Sequence, residues 1–210
     1  MKKENILILG PTYSSKSTSV FLEKLLSILL PLANHIYLAS GTPSKAYINK
    51  VQWYKPVSFN NVLSDGKKMK LKMCFIYIVN QVLLMLLLIK LVMKKRFRIV
   101  ISISMDPLPI ILLKILGKKV VKYWGGSITR VSSVTMNCKT RWVTLSILQE
   151  KLLAFFSDKI IIESASCLKF QKLEGYKQKI VISPLYVDTD IFLRNNSAKH
   201  KKTIAYIGNL

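Results

Sequence analysis

The sequence is poor in acidic residues and in cysteines. Asp and Glu number 10 against 33 Lys and Arg in 210 residues, which gives a formal net charge of +23. The three cysteines, Cys74, Cys138 and Cys167, are widely spaced and form no C-x-x-C pair or Cys/His cluster. We therefore expect neither a disulfide framework nor a metal site, and a reducing compartment is the simpler interpretation.

The excess of positive charge favours an anionic partner, such as nucleic acid, a phosphorylated sugar or an anionic lipid headgroup. The alternative is a basic proteome composition rich in Lys and Ile. The basic residues form no stripe with interleaved aromatic side chains, and no nucleic-acid-binding motif is visible. The sequence therefore gives no support to nucleic acid as the partner.

The N-terminus passes from Met1 almost directly into an apolar run at residues 6–9. That run is too short for the core of a signal peptide. We therefore expect the fold to begin at once and the protein to be cytoplasmic.

Short apolar runs alternate with helical patterns along the chain. Half of the residues are hydrophobic (50%), which is enough for one domain with a sizeable core. The alternation predicts an α/β fold with a Rossmann-like, doubly wound parallel sheet. The predicted strands lie at residues 6–9, 35–39, 51–59 (weakened by Pro56), 98–104, 119–124, 160–162 and 179–182.

The loop after the first predicted strand is the first candidate binding site. A strand, a loop and then a helix is where open α/β sheets bind ligands, because free backbone amides point outward there. The loop matches neither G-x-G-x-x-G nor a P-loop. An ordinary polar turn with a serine N-cap remains the alternative. The candidate phosphate-side and acceptor-side residues are Gly10, Thr12, Ser14 and Ser15.

A second candidate loop follows the strand at residues 119–124. Its two glycines, Gly125 and Gly126, allow close approach of the backbone to a ligand, and the amides can bind an anion. Arg130, three residues beyond Ser127, can meet a phosphate. A tight turn without a ligand is the alternative.

Residues 73–93 form an almost wholly apolar helix candidate with basic residues at both ends. Its length suits a membrane span. However, basic clusters flank both ends of the segment, so the charge asymmetry of a membrane span is missing, and the polar residues Asn80 and Gln81 lie near its middle. A single span would also place strands 6–9 and 99–103 on opposite sides of the bilayer, although they should share a sheet. We therefore predict a helix packed on the domain and pressed against an anionic membrane surface; a fully buried core helix is the alternative. The membrane-surface candidates are Lys68, Lys72, Lys94, Lys95 and Arg96.

The segment at residues 157–192 predicts a parallel crossover unit. An apolar strand at residues 160–162 precedes Ser164 and Ser166, either of which can cap the following helix, and Gly175 is expected to stop that helix. A second strand follows at residues 179–182 and ends at Pro184. These short connections are typical of adjacent parallel strands.

The same segment resembles the end of the N-terminal domain of family-4-type (group 1) glycosyltransferases, which have the GT-B fold. The family's P-x-x-V-D-T-x-x-F stretch is matched in order, and TIAYIGNL at residues 203–210 is similar to the strand that opens the family's C-terminal, donor-binding domain. The matching positions are Pro184, Val187, Asp188, Thr189 and Phe192.

This resemblance implies sugar transfer from a nucleotide-sugar donor to a glycan or lipid-linked acceptor, with no cofactor. It implies a domain at residues 1–192 that holds the acceptor, with Ser164 on the binding side, a linker at 193–202 and the first strand of a donor-binding domain at 203–210. We expect a truncated chain, inactive alone, that is completed by a separate C-terminal half. We also expect a location in the cytoplasm or on the inner face of the cell membrane.

The resemblance assigns no catalytic residue. Family members often have a histidine, or a nearby acidic residue, in the loop after the strand at 119–124, and no histidine is present here. A non-catalytic module that binds a membrane surface or a partner chain therefore remains the alternative to an enzyme.

Overall fold

The computed structural model describes residues 3–11, 16–41, 46–56, 71–125, 141–170 and 172–183; for helix residues 16–19, 71–77, 141–146 and 170 it describes the backbone alone. These residues form a seven-stranded sheet in the order β3-β2-β1-β4-β5-β6-β7. Every strand pair is parallel. The strands are β1 (Glu4–Leu9), β2 (Ala33–Ala39), β3 (Gln52–Tyr54), β4 (Ile99–Ser102), β5 (Lys119–Tyr123), β6 (Lys159–Ile162) and β7 (Ile180–Ile182).

Helices cover both faces of this sheet. They are α1 (Lys16–Leu29), α2 (Leu71–Lys94), α3 (Pro107–Ile115), α4 (Arg141–Phe156) and α5 (Ala165–Phe170), with 3-10 segments at Ile48–Lys50 and Glu174–Lys179. The predicted doubly wound α/β fold is therefore confirmed. The predicted sharing of one sheet by the first strand and the strand near residue 99 is also confirmed, because Ile6 lies opposite Ile99 and Leu9 opposite Ser102.

Two cores form because successive side chains of a strand point to opposite faces of the sheet. In β1, Ile6 and Ile8 pack with Leu22 of α1 on one face. Leu7 and Leu9 pack with α2, α3 and α4 on the other face. Strands buried on both faces read as continuous apolar runs, which is why they were visible in the sequence.

Helix α2 has one face in the core and one face exposed. Leu84, Leu88 and Leu91 are buried, at a spacing that returns them to one side of the helix. The opposite side carries exposed apolar residues, and we name these the α2 stripe: Ile78, Val82, Leu86 and Met93. No helix in the described part of the chain has the length and hydrophobicity needed to cross a bilayer.

The predicted role of Gly175 as the stop of a helix is wrong. Helix α5 ends at Phe170, and Gly175 lies inside the 3-10 segment that follows. The chain leaves the helix at Lys172, whose φ of 53° is left-handed, and the Leu173 amide donates to the Leu168 carbonyl at 3.0 Å. This closing hydrogen bond, with Leu173 buried behind it, satisfies the end of the helix without a glycine.

An ion pair stabilises the amino edge of the sheet, where the parallel strands begin. Lys114 of α3 donates to both carboxylate oxygens of Asp158 at 2.7 and 2.9 Å, and Asp158 also accepts from the Val120 amide at 2.7 Å. Although burial opposes the effect, the hydrogen bonds from Lys114 and Val120 lower the pKa of the Asp158 carboxyl. The start of β6 is thereby joined to β5 and α3.

Candidate functional site

The carboxyl ends of the parallel strands meet at one edge of the sheet. The strand order changes direction between β1 and β4, since the chain runs outward from β1 to β3 and then returns to β4. In doubly wound sheets, ligands bind at the carboxyl edge beside such a switch point. The segments that follow β1, β2, β4, β5 and β6 therefore form the candidate site.

Gly10 brings the ends of β1 and β2 into close contact. Its amide donates to the Ala39 carbonyl at 2.8 Å, and the Pro11 carbonyl accepts from the Gly41 amide at 2.9 Å. A Cβ on Gly10 would overlap the Ser40 hydroxyl and would lie 2.7 Å from the Ser40 Cβ. The position therefore requires glycine because of close packing against Ser40.

The segment after β4 bends over the end of β1. The amides of Ile103 and Ser104 both donate to the Leu9 carbonyl, at 2.9 and 3.3 Å. The Ser104 hydroxyl donates to Asp106 at 2.8 Å and accepts from the Asp106 amide at 3.2 Å. Asp106 occupies the N-cap position of α3, although its side chain makes no capping hydrogen bond.

The end of β5 carries a hydrogen-bonded pair of polar side chains on the α1 side of the sheet. The Tyr123 hydroxyl donates to Glu163 Oε1 at 3.1 Å, and the Tyr123 ring lies 4.5 Å from the Phe21 ring of α1. Burial, together with the Glu163 carboxylate, raises the pKa of Tyr123 to about 12. Tyr123 is therefore a hydrogen-bond donor at neutral pH, and the second oxygen of Glu163 has no donor among the described residues.

A buried lysine lies beneath the same edge on the other face. Lys122 is fully buried, and its Nζ donates to the Tyr123 carbonyl at 2.8 Å and lies 5.9 Å from the Trp124 ring. Burial lowers the pKa of Lys122 to about 7, and the charge of Asp106 opposes this effect only in part. The amine therefore changes charge near neutral pH.

Ser164 lies at the carboxyl end of β6, directly before α5. Its hydroxyl is 2.7 Å from the Ser166 hydroxyl and 3.3 Å from the Cys167 sulfur. Its polar contacts are thus local, and they fix the turn into α5.

The structure brings only some of the predicted site residues together. Gly10, Gly125 and Ser164 lie at the carboxyl edge, while Lys94, Lys95 and Arg96 lie at the amino edge, where α2 ends. Lys72 is described by its backbone alone. Outside the described residues are Thr12, Ser14, Ser15, Lys68, Gly126, Ser127 and Arg130, together with the P-x-x-V-D-T-x-x-F stretch, the 193–202 linker and the 203–210 strand.

Sequence reasoning missed Lys122 and the Tyr123–Glu163 pair. The signal for Lys122 was a lysine inside an apolar strand, between Val121 and Tyr123. No local signal joins Tyr123 to Glu163, because their contact depends on the β5–β6 register, in which Tyr123 lies opposite Ile161.

Solved structures with this fold match the chain, whereas no protein-family model and no curated protein matches it. A glycosyltransferase from Rickettsia africae ESF-5 is 18% identical, with a TM-score of 0.54 over 95% of this chain and 47% of that protein. A UDP-N-acetylglucosamine 2-epimerase is 11% identical, with a TM-score of 0.54 over 87% and 48%. A lipopolysaccharide outer core galactosyltransferase is 12% identical, with a TM-score of 0.51 over 88% and 47%.

The chain spans about half the length of these structures. At such identities the likeness establishes the fold, which is the Rossmann-like N-terminal half of the GT-B glycosyltransferases. An epimerase shares this fold, so the fold by itself does not select the reaction.

Substituting Gly10→Ala should lower the free energy of unfolding by about 1–3 kcal/mol, because the new Cβ overlaps the Ser40 side chain. In a Ser40→Gly background the same substitution should cost much less. Gly125→Ala is the control, since a Cβ there would meet the Tyr123 ring at 3.4 Å, an ordinary contact. Urea denaturation of the four variants checks this, and equal costs of Gly10→Ala in both backgrounds would contradict it.

The buried amine of Lys122 should make stability depend on pH. Its pKa is lower in the folded protein than in the unfolded chain, so the unfolded chain binds more protons and stability rises as pH increases from about 7 to about 10. Lys122→Met should stabilise the protein by about 1–4 kcal/mol near neutral pH, with a gain that shrinks toward pH 10. Denaturation across this range, with exposed Lys119→Met as control, measures the effect. Parallel pH profiles for wild type and Lys122→Met would refute it.

Proposed function

We propose that this chain is the acceptor-side lobe of a GT-B glycosyltransferase of the group 1 kind, which moves a sugar from a nucleotide-sugar to a glycan or lipid-linked acceptor. The observation that carries the proposal is the carboxyl edge beside the β1–β4 switch point, where Gly10 and Gly125 follow strands on either side of β4. The P-x-x-V-D-T-x-x-F residues in the sequence support the same assignment.

In this proposal the edge holds the acceptor. Gly125 allows close approach of a sugar ring to the backbone, and the free oxygen of Glu163 accepts a hydrogen bond from an acceptor hydroxyl. Tyr123 keeps that carboxylate in place through its own hydroxyl. A second α/β lobe supplies the donors that stabilise the leaving diphosphate, so residues 1–210 alone have little activity.

Sugar transfer is tested with labelled nucleotide-sugars, a donor-binding lobe of a GT-B enzyme and a panel of glycan and lipid-linked acceptors. Label should move from the nucleotide to an acceptor. Glu163→Gln should raise the acceptor KM about tenfold, since it removes a charge-assisted hydrogen bond. The control is Glu174→Gln, the same substitution at an exposed residue of the 3-10 segment before β7.

Two outcomes would overturn the assignment. Isomerised sugar that stays on the nucleotide would indicate an epimerase instead. Absence of label on any acceptor, with both lobes folded, would favour the non-catalytic module that binds a membrane or a partner chain.

We also propose that α2 attaches the lobe to an anionic membrane surface, on the cytoplasmic side. The α2 stripe is exposed along the helix, with Ile78 59%, Leu86 57% and Met93 75% exposed. Basic residues follow at its C-terminal end, including exposed Lys94 and Arg96. An apolar stripe beside lysine and arginine suits the interface of an anionic bilayer.

The attachment predicts co-sedimentation with anionic vesicles and release at high salt. Leu86→Ser with Met93→Ser should weaken binding about tenfold, because each removes an inserted apolar side chain. Ile115→Ser, which changes an equally exposed apolar residue at the end of α3, should leave binding unchanged. Wild-type protein that stays in the supernatant at low salt would contradict the attachment.

A further inference from the structure

A basic pocket of about 360 Å³ lies at the amino edge of the sheet, between the end of α2 and the first residues of β1 and β5. Its lining contains four basic side chains, Lys95, Arg96, Arg98 and Lys118, against a single carboxylate, that of Glu4. We name it the amino-edge pocket. The pocket and the candidate acceptor site lie at opposite edges of the sheet, so the two sites do not share residues.

The walls of the amino-edge pocket are fixed by its own contacts. Lys118 Nζ donates to the Phe97 carbonyl at 2.9 Å and lies 4.9 Å from the centre of the Phe97 ring. Lys95 Nζ lies 5.8 Å from the centre of the Tyr37 ring. The side-chain Nδ2 of Asn5 donates to the Arg96 carbonyl at 2.7 Å, which holds the segment between α2 and β4 against β1. Two of the four basic groups, those of Lys95 and Lys118, are therefore held in place by the protein itself.

The charge of the pocket is not neutralised within the described chain. The ion pair Lys114–Asp158 uses none of its residues, and none of its four basic side chains lies within ion-pair distance of a described carboxylate. Four like charges around one volume repel one another, and an anion relieves that repulsion. Two guanidinium groups, from Arg96 and Arg98, offer the forked donors that match phosphate oxygens.

The position of the pocket favours a lipid as the source of the phosphate. Val92 lines the pocket, and the next residue, Met93, is the last member of the α2 stripe and is 75% exposed. A headgroup bound in the pocket would thus have its acyl chains beside an exposed apolar surface. A soluble phosphate would make no use of that surface.

We propose that the amino-edge pocket binds the phosphate group of an anionic lipid headgroup while the α2 stripe enters the bilayer. The inference rests on the membrane attachment proposed above and adds a defined headgroup site to it. It does not depend on sugar transfer.

Matched lysine pairs test the site. The pocket pair is Lys95→Gln with Lys118→Gln, and the control pair is Lys119→Gln with Lys169→Gln, which removes the same charge from two exposed residues that do not line the pocket. Arg96→Gln with Arg98→Gln is a second pocket pair whose side chains make no hydrogen bond within the described chain, so it guards against a loss of fold. Binding is measured to phosphatidylcholine vesicles that contain phosphatidylglycerol, and to soluble glycerol phosphate.

Both pocket pairs should bind the vesicles about tenfold more weakly than the control pair. Glycerol phosphate should compete with vesicles for binding to the wild type and to the control pair, but not for binding to either pocket pair. Equal weakening in all pairs would overturn the pocket and leave a diffuse attraction to the membrane. Glycerol phosphate binding that the pocket pairs lose, with vesicle binding unchanged, would assign the pocket to a soluble phosphate instead. A wild type that binds no vesicles would overturn the attachment and the headgroup site together, while the transfer assay, run on soluble acceptors, stays informative.

Discussion

The pairing of β1 with β4 is the contact on which the rest of the structure depends. It places a strand from the start of the chain beside one from its middle, so that the sheet grows outward in both directions from this pair. The Leu9 carbonyl also accepts hydrogen bonds from the amides of Ile103 and Ser104, which hold the segment after β4 against the end of β1. Long-range parallel pairing needs crossover connections, and the helices that provide them bury both faces of the sheet. Every residue of the candidate site takes its position from this arrangement.

The two edges of the sheet differ in chemistry. The described part of the carboxyl edge combines close-packed glycine with the Tyr123–Glu163 hydrogen bond and the buried amine of Lys122, and these polar groups are held in place. The amino edge collects basic side chains at the end of α2, next to exposed apolar residues. The proposed acceptor site and the proposed headgroup site therefore lie at opposite edges of the sheet.

The sequence was most informative where burial decides the structure. The apolar strands and the placement of α2 on the domain could be predicted because they follow from the hydrophobic pattern. The end of α5 could not, since Lys172 adopts the left-handed conformation that glycine usually provides. The contacts of Tyr123 and Lys122 could not be predicted either. They depend on strand register and on the depth of burial, which no window of neighbouring residues contains.

Hydrogen exchange with a saturating acceptor glycan, in the presence of the donor lobe and nucleotide-sugar, tests the central claim most directly. Protection should increase in the backbone that follows the strands at the carboxyl edge, at residues 10, 40–41, 103–106 and 124–125. Exchange at residues 95–98, on the amino edge, should stay unchanged under these conditions. Protection confined to the amino edge, or none at either edge while sugar is being transferred, would contradict the account.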